Sequence, residues 1–175
     1  MTVIINSVTN PTYFFAGKGR HGAVFTVSNN KKGQHHTFKI KASKDGGCFF
    51  VSKLTAPDYY SFMGTIFDKF CPVVKASAKS KVPANHVAFR VVTWALTQVI
   101  LGKELPDGYA IQHNGCCSRC GRTLTDPTSI DLGIGPICAN AMGIVSQVSK
   151  QRSVDPESPD FDDNEAEAAL AMEQQ

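Results

Sequence analysis

The chain has 175 residues, 42% of them hydrophobic, which is enough to bury a sizeable core. No run of about 18 apolar residues occurs, so no membrane-spanning helix is expected. The net charge of +3 conceals a split: residues 1–150 hold 17 Lys and Arg against 7 acids, whereas residues 151–175 hold 1 Arg against 8 acids. A basic body with an acidic tail points toward nucleic acid, or toward partners of opposite sign on the two parts. The opening MTVIINSVTNPTYFF lacks the basic stretch and apolar run of a signal peptide. The expected location is the cytoplasm, where thiols stay reduced and bind metal rather than pair.

Residues 1–108 read as a β-rich body. Val3-Ile4-Ile5, Tyr13-Phe14-Phe15 and residues 23–27 are short β-branched and aromatic runs. Residues 37–41 alternate apolar and basic side chains, which predicts a half-buried strand with Lys39 and Lys41 on the wet face. The polar stretch 28–34, carrying Lys31 and Lys32, predicts a hairpin loop. Further strands are expected over 48–54 and 60–67, completing an antiparallel meander of about five strands. Lysines on one face would track a phosphate backbone, and exposed members of the set Phe49, Phe50, Tyr59, Tyr60 and Phe62 would stack bases. The alternative for both is ordinary: a solvated lysine face and core phenylalanines. His35-His36 are expected at the surface, and the isolated Cys48 and Cys71 as buried thiols.

A helix is predicted over 84–101. Val87, Ala88, Val91, Val92, Ala95 and Val99 recur at steps of three and four, and Gly102 ends it. It is expected to lie across the sheet with Trp94 in the core. Pro106-Asp107-Gly108 turns the chain into a strand over 109–112.

The densest chemistry lies in residues 113–140, HNGCCSRCGRTLTDPTSIDLGIGPICAN. Cys117 and Cys120 stand in C-x-x-C spacing, with Gly121 and Arg122 just after. Such a loop can place two thiolates on one tetrahedral ion. Cys138 follows Gly133-Ile134-Gly135-Pro136, a turn and a helix start, which puts it on the first turn of a short helix over 136–142. A knuckle facing a helix N-terminus is the treble-clef plan of a structural zinc site, and Zn²⁺ is the expected cofactor. A closed site needs four ligands. His113 is the expected fourth, giving H-x3-C-x2-C-x17-C, with Cys116 the rival. Adjacent residues in a strand point to opposite faces, which disfavours Cys116 and Cys117 on one ion. A redox dithiol is the alternative, but that motif sits at a strand-to-helix junction of a βαβ unit.

The run from Cys117 to Cys138, CSRCGRTLTDPTSIDLGIGPIC, resembles a small cysteine-cluster domain of uncharacterised proteins of bacteriophages and other bacterial mobile elements. Those proteins often carry a β-rich N-terminal part with a phrase similar to Phe50-Val51-Ser52-Lys53-Leu54-Thr55-Ala56-Pro57-Asp58. The resemblance covers most of residues 22–142. It implies a zinc-binding phage accessory protein and supplies no activity. Cys116 departs from the pattern and leaves open which cysteines bind the metal.

No catalytic arrangement stands out. H-x-E with P-C-x-x-C, H-E-x-x-H, the phosphate-binding G-x-x-x-x-G-K-[ST] and G-x-S-x-G are all missing from the sequence. The expectation is therefore a non-enzymatic α+β protein: a β-meander packed on one long helix, a treble-clef-like zinc module over 109–145, and a disordered acidic tail over 146–175. Nucleic acid, non-specific or single-stranded, is the first expected partner, with Lys31, Lys32, Lys39, Lys41, Arg119 and Arg122 on phosphates. The second reading is a protein adaptor or inhibitor acting on a host or phage machine through the knuckle and the acidic tail.

Overall fold

The computed structural model describes residues 7–144. The expected strand over 3–5 and the acidic tail lie outside these residues. What is described is an α+β arrangement around one antiparallel sheet. Its strands are β1 (Ala23–Asn29), β2 (Gln34–Ala42), β3 (Phe49–Ala56), β4 (Tyr59–Ile66) and β5 (Tyr109–His113). The order across the sheet is β4-β3-β2-β1-β5. The first four strands form a meander. β5 returns to pair antiparallel with β1, with Phe25 opposite His113. β5, the first element of the expected module over 109–145, is hydrogen-bonded to β1 at the edge of the sheet.

The faces follow from the period of two. Phe25, Val27, Phe38, Ile40, Val51 and Met63 point inward and are almost wholly buried. Each contributes roughly 1.5–3 kcal/mol by leaving water. The helices α1 (Thr12–Phe15) and α2 (Val87–Ile100) cover this inner face and share its core. α2 begins at His86, whose ring nitrogen accepts the Ala88 N–H at 3.0 Å. It is 14 residues long and starts three residues after the predicted 84. Trp94, half-buried, packs on Tyr109 with ring centroids 5.0 Å apart.

Residues 13–15 correct an expectation. They form one helical turn, not a strand. Asn10 Oδ1 accepts the Thr12 N–H at 2.9 Å and starts the turn at Pro11. In a strand Tyr13 and Phe14 would face opposite sides, whereas a helical turn lets both enter the core. Both are buried, and Phe14 meets Phe25 edge-to-face at 4.8 Å. A run of three apolar residues is too short to tell a period of two from one of 3.6. Phe49 also turns inward, half-buried against Phe15 at 4.7 Å. Cys71 is exposed and Cys48 half-buried, contrary to the expectation of two core thiols.

Candidate metal centre

The chain leaves β5 at His113 and folds back on itself at once. Leu124 N–H bonds the Gly115 carbonyl, and Cys117 N–H bonds the Arg122 carbonyl, both at 2.8 Å. Between them Gly121 N–H closes onto the Cys117 carbonyl, also at 2.8 Å. Gly121 holds φ +75°, a left-handed conformation that suits glycine. The result is a tight loop with Cys117 and Cys120 on one side.

Two short helices complete the site. α3 (Pro127–Leu132) was missed from the sequence. Its signals were present: Asp126 caps it by accepting from Ser129 N–H at 3.1 Å, Pro127 takes the first position, and Gly133 ends it at φ 68°. α4 (Pro136–Ala141) starts after Gly135 and carries Cys138 on its first turn.

The sulfurs of Cys117, Cys120 and Cys138 lie within 4.8 Å of one another. Three thiolates on one tetrahedral zinc-sized ion stand roughly 3.8 Å apart, given metal–sulfur bonds of about 2.3 Å. The donor set therefore fits a thiophilic metal ion with little movement. The electrostatics agree. Burial pushes the Cys117 thiol up, but backbone N–H groups of Gly135, Cys120 and Arg119 outweigh it, and the thiol ends below its ordinary range. Cys138 is pushed up to about 11, first by burial and then by the sulfurs of Cys120 and Cys117 beside it. Crowded sulfurs resist a second and third negative charge until a cation shares the space.

The structure does not bring His113 to this cluster. The ring is buried and fully engaged elsewhere: Nδ1 accepts the Gly115 N–H at 2.9 Å, and Nε2 sits 2.8 Å from the Ile130 carbonyl oxygen. His113, the expected fourth ligand, thus stands outside the three-sulfur group, with its ring nitrogens tying the loop and α3 to β5. Cys116 is also outside the three-sulfur group and bridges to Thr123 in the loop's ladder.

The six basic residues do not form one surface. Lys31 pairs with Asp107 at 2.7 Å, at the β1–β2 turn with Lys32. The Arg119 guanidinium donates to the Cys138 carbonyl at 3.3 Å, bracing α4 against the loop. Arg122 is exposed beside a cleft of about 460 Å³ that Cys117, Cys120, Asp126 and Ile137 also line. Lys39 and Lys41 lie on the outer face of the sheet, opposite the helices.

Residues 110–143 match the family described as "Family of unknown function (DUF6011)". The match covers the last strand from Ala110 on, the loop, both short helices and all three clustered cysteines. No curated protein and no solved structure matches the chain. Among the described residues, no helix is long and apolar enough to cross a membrane.

Proposed function

We propose that this protein binds single-stranded nucleic acid on the outer face of its sheet, steadied by a structural zinc centre at Cys117, Cys120 and Cys138. One observation carries the reading: the strand register gathers basic and aromatic side chains on the face opposite the helices. Lys41 stands opposite Phe50, Lys39 opposite Ser52, Ser52 opposite Phe62, and Leu54 opposite Tyr60. The rings of Phe50 and Phe62 are 6.2 Å apart, and the Lys39 ammonium lies over Tyr60 at 5.6 Å. Phe50 is 42% exposed, which is unusual for a phenylalanine in a strand. Lysines there neutralise phosphates and rings stack on bases without reading sequence. Burial and the neighbouring Lys41 hold the Lys39 ammonium below its ordinary range, and a phosphate beside it would offset the repulsion between the two ammonium groups.

The face continues to the metal loop. Gly22 lies against Lys41 and the Ile40 carbonyl, and His21 lies against Gly121, next to Arg122. The loop followed by a helix start reads as a treble clef, with zinc closing the fold of a module whose own core is small. The resemblance to phage and mobile-element proteins suggests an accessory role in a host cytoplasm.

The test is fluorescence anisotropy of the full chain with a labelled oligothymidylate across a salt series. Binding should weaken linearly in log–log form, by a slope near −0.7 for each phosphate contact. Salt-insensitive binding, or none at low salt, would defeat the reading.

A second reading is a protein adaptor that uses the knuckle. Ile137 is 74% exposed at the rim of the cleft beside the cysteines, an apolar side chain placed where a partner would cover it. Nuclease-treated pull-downs that retain one stoichiometric protein, lost in Ile137→Asp, would favour it.

A further inference from the structure

The loop that carries Cys117 and Cys120 is touched by a histidine from the other end of the chain. His21 lies in the connection between α1 and β1. Its ring faces Gly121 so closely that a Cβ at that position would stand 2.5 Å from Nδ1 and 3.0 Å from Cε1. Gly121 is the residue after Cys120. The approach is not accidental to the backbone. His21 N–H bonds the Lys18 carbonyl at 3.2 Å, fixing a turn, and Gly22 is held against Ile40 and Lys41. Ala16, at the start of this connection, belongs to the module's own core with Cys117, Leu124 and Ile134.

The other histidines are placed for different work. His113 spends both ring nitrogens on backbone groups. His86 caps α2. His35 and His36 sit in β2 beside the β1–β2 turn, paired with Ser28 and Val27 of β1. Among the described residues, His21 and His113 have their imidazoles against the cysteine loop, and His113 has both nitrogens engaged by backbone groups.

We propose that His21 supplies the fourth ligand, through Nδ1 or Nε2, and completes a Cys₃His site that ties the N-terminal segment to the cysteine module. This rests on reading the three cysteines as a metal centre. The ring stands outside the three-sulfur cluster, so ligation turns it about its own side-chain torsions toward Cys120. The consequence is architectural. Three local cysteines would stabilise only the module, whereas a ligand from residue 21 makes the metal a clasp. It would fix the connection between α1 and β1 beside Lys41, and so fix the join between the sheet face and the metal loop. A borderline ion such as zinc accepts imidazole nitrogen and thiolate sulfur together in a closed tetrahedral site.

The test uses the full chain and cobalt as a spectroscopic probe, followed by zinc competition. Wild type should bind one cobalt, with sulfur-to-metal charge-transfer bands and strong tetrahedral d–d absorption. His21→Ala should keep the charge-transfer bands of three thiolates, shift the d–d bands and lose affinity. The loss should be about 100-fold, since even partners behind the ligands are worth 10–100-fold. Cys116→Ser should bind like wild type. Unchanged bands and affinity in His21→Ala would overturn the proposal, as would a loss confined to Cys116→Ser. Wild type that binds no cobalt would instead defeat the metal-centre reading itself. Should His21→Ala not fold, wild type loaded with an NMR-active cadmium isotope decides. Scalar coupling between the metal and the His21 imidazole nitrogen supports the clasp, and coupling to another histidine or to none removes it.

Discussion

His113 donates its Nε2–H to the carbonyl oxygen of Ile130 across 2.8 Å, from the edge strand of the sheet to the short helix α3. The donor role follows from the other nitrogen: Nδ1 accepts the Gly115 N–H at 2.9 Å, so the proton of the neutral ring must sit on Nε2. One side chain thus ties the start of the cysteine loop and α3 to β5. Tyr13 backs it, with ring centroids 5.5 Å apart, while its own hydroxyl donates to the Val24 carbonyl at 2.7 Å.

That arrangement predicts a pH dependence. Burial, the larger influence, holds the His113 ring below its ordinary titration range. The unfolded chain therefore takes up the proton first as pH falls. Stability from this residue is complete above the ordinary histidine value of about 6.5 and is lost as pH drops below it toward the folded value. A protonated Nδ1 can no longer accept from Gly115. Thermal unfolding followed from about pH 7.5 to about pH 5 should show a falling midpoint. His36, also lowered by burial, adds to the same trend, so the comparison that matters is with His113→Gln. The variant should lose roughly 1–3 kcal/mol at neutral pH and show a shallower pH slope. Identical slopes would assign the effect elsewhere.

Gly133 carries a sharper steric prediction. It ends α3 at φ 68°, and a Cβ there would run into the Tyr13 ring, 2.9 Å from Cε2 and closer still to Cδ2. The left-handed backbone alone costs an L-residue about 1–2 kcal/mol. The ring cannot step aside, because its hydroxyl is tied to Val24 and its other side packs on Phe14. Gly133→Ala should therefore destabilise by more than that backbone cost, measured by denaturant unfolding. Gly19→Ala, also at positive φ (66°) but with open space around it, should cost only the backbone share. Equal losses at the two positions would mean that the Tyr13 contact does not matter.

Asp126 gives a smaller, cleaner effect. Its carboxylate accepts both the Ser129 N–H at 3.1 Å and the Ser129 hydroxyl at 3.3 Å. Asp126→Ala should lose about 1 kcal/mol, and Asp126→Asn should keep most of it, as for other helix N-caps. The readout is again denaturant unfolding. A larger loss in metal-loaded protein than in chelated protein would show that the cap also supports the cysteine site.

How much of this was legible depends on how local each feature is. The C-x-x-C loop and Cys138 at a helix start could be placed because spacing, glycine and proline act within a few residues. Lys39 and Lys41 on the wet face followed from strict alternation over 37–41. The failures are longer in range. Nothing near His113 says that the Ile130 carbonyl, 17 residues on, will take its Nε2, and nothing near Lys31 announces Asp107. The run 13–15 was misread because aromatic residues favour strands on average, while here one helical turn buries two of them at once. α3 is a different case. Asp126-Pro127 and Gly133 are start and stop signals of a helix, but the six residues between carry too little apolar periodicity to draw attention.

The sheet face separates the basic residues into two groups, and binding should do the same. Lys39 and Lys41 share their face with Phe50, Tyr60 and Phe62, whereas Lys31 is paired with Asp107 at the far turn. The double change Lys39→Gln, Lys41→Gln should reduce the salt slope for oligothymidylate by about 1.4, two phosphate contacts' worth. Lys31→Gln should leave the slope where it was. Tyr60→Leu with Phe62→Leu keeps apolar bulk and removes the rings, so affinity should fall by about 1–3 kcal/mol per lost stack while the slope holds. The two sets thus act on different observables, one on salt dependence and one on affinity at fixed salt. If Lys31→Gln changes the slope as much as the sheet lysines do, the contact is diffuse attraction to a basic body. In that case the register that gathers lysines and rings on one face has no part in it.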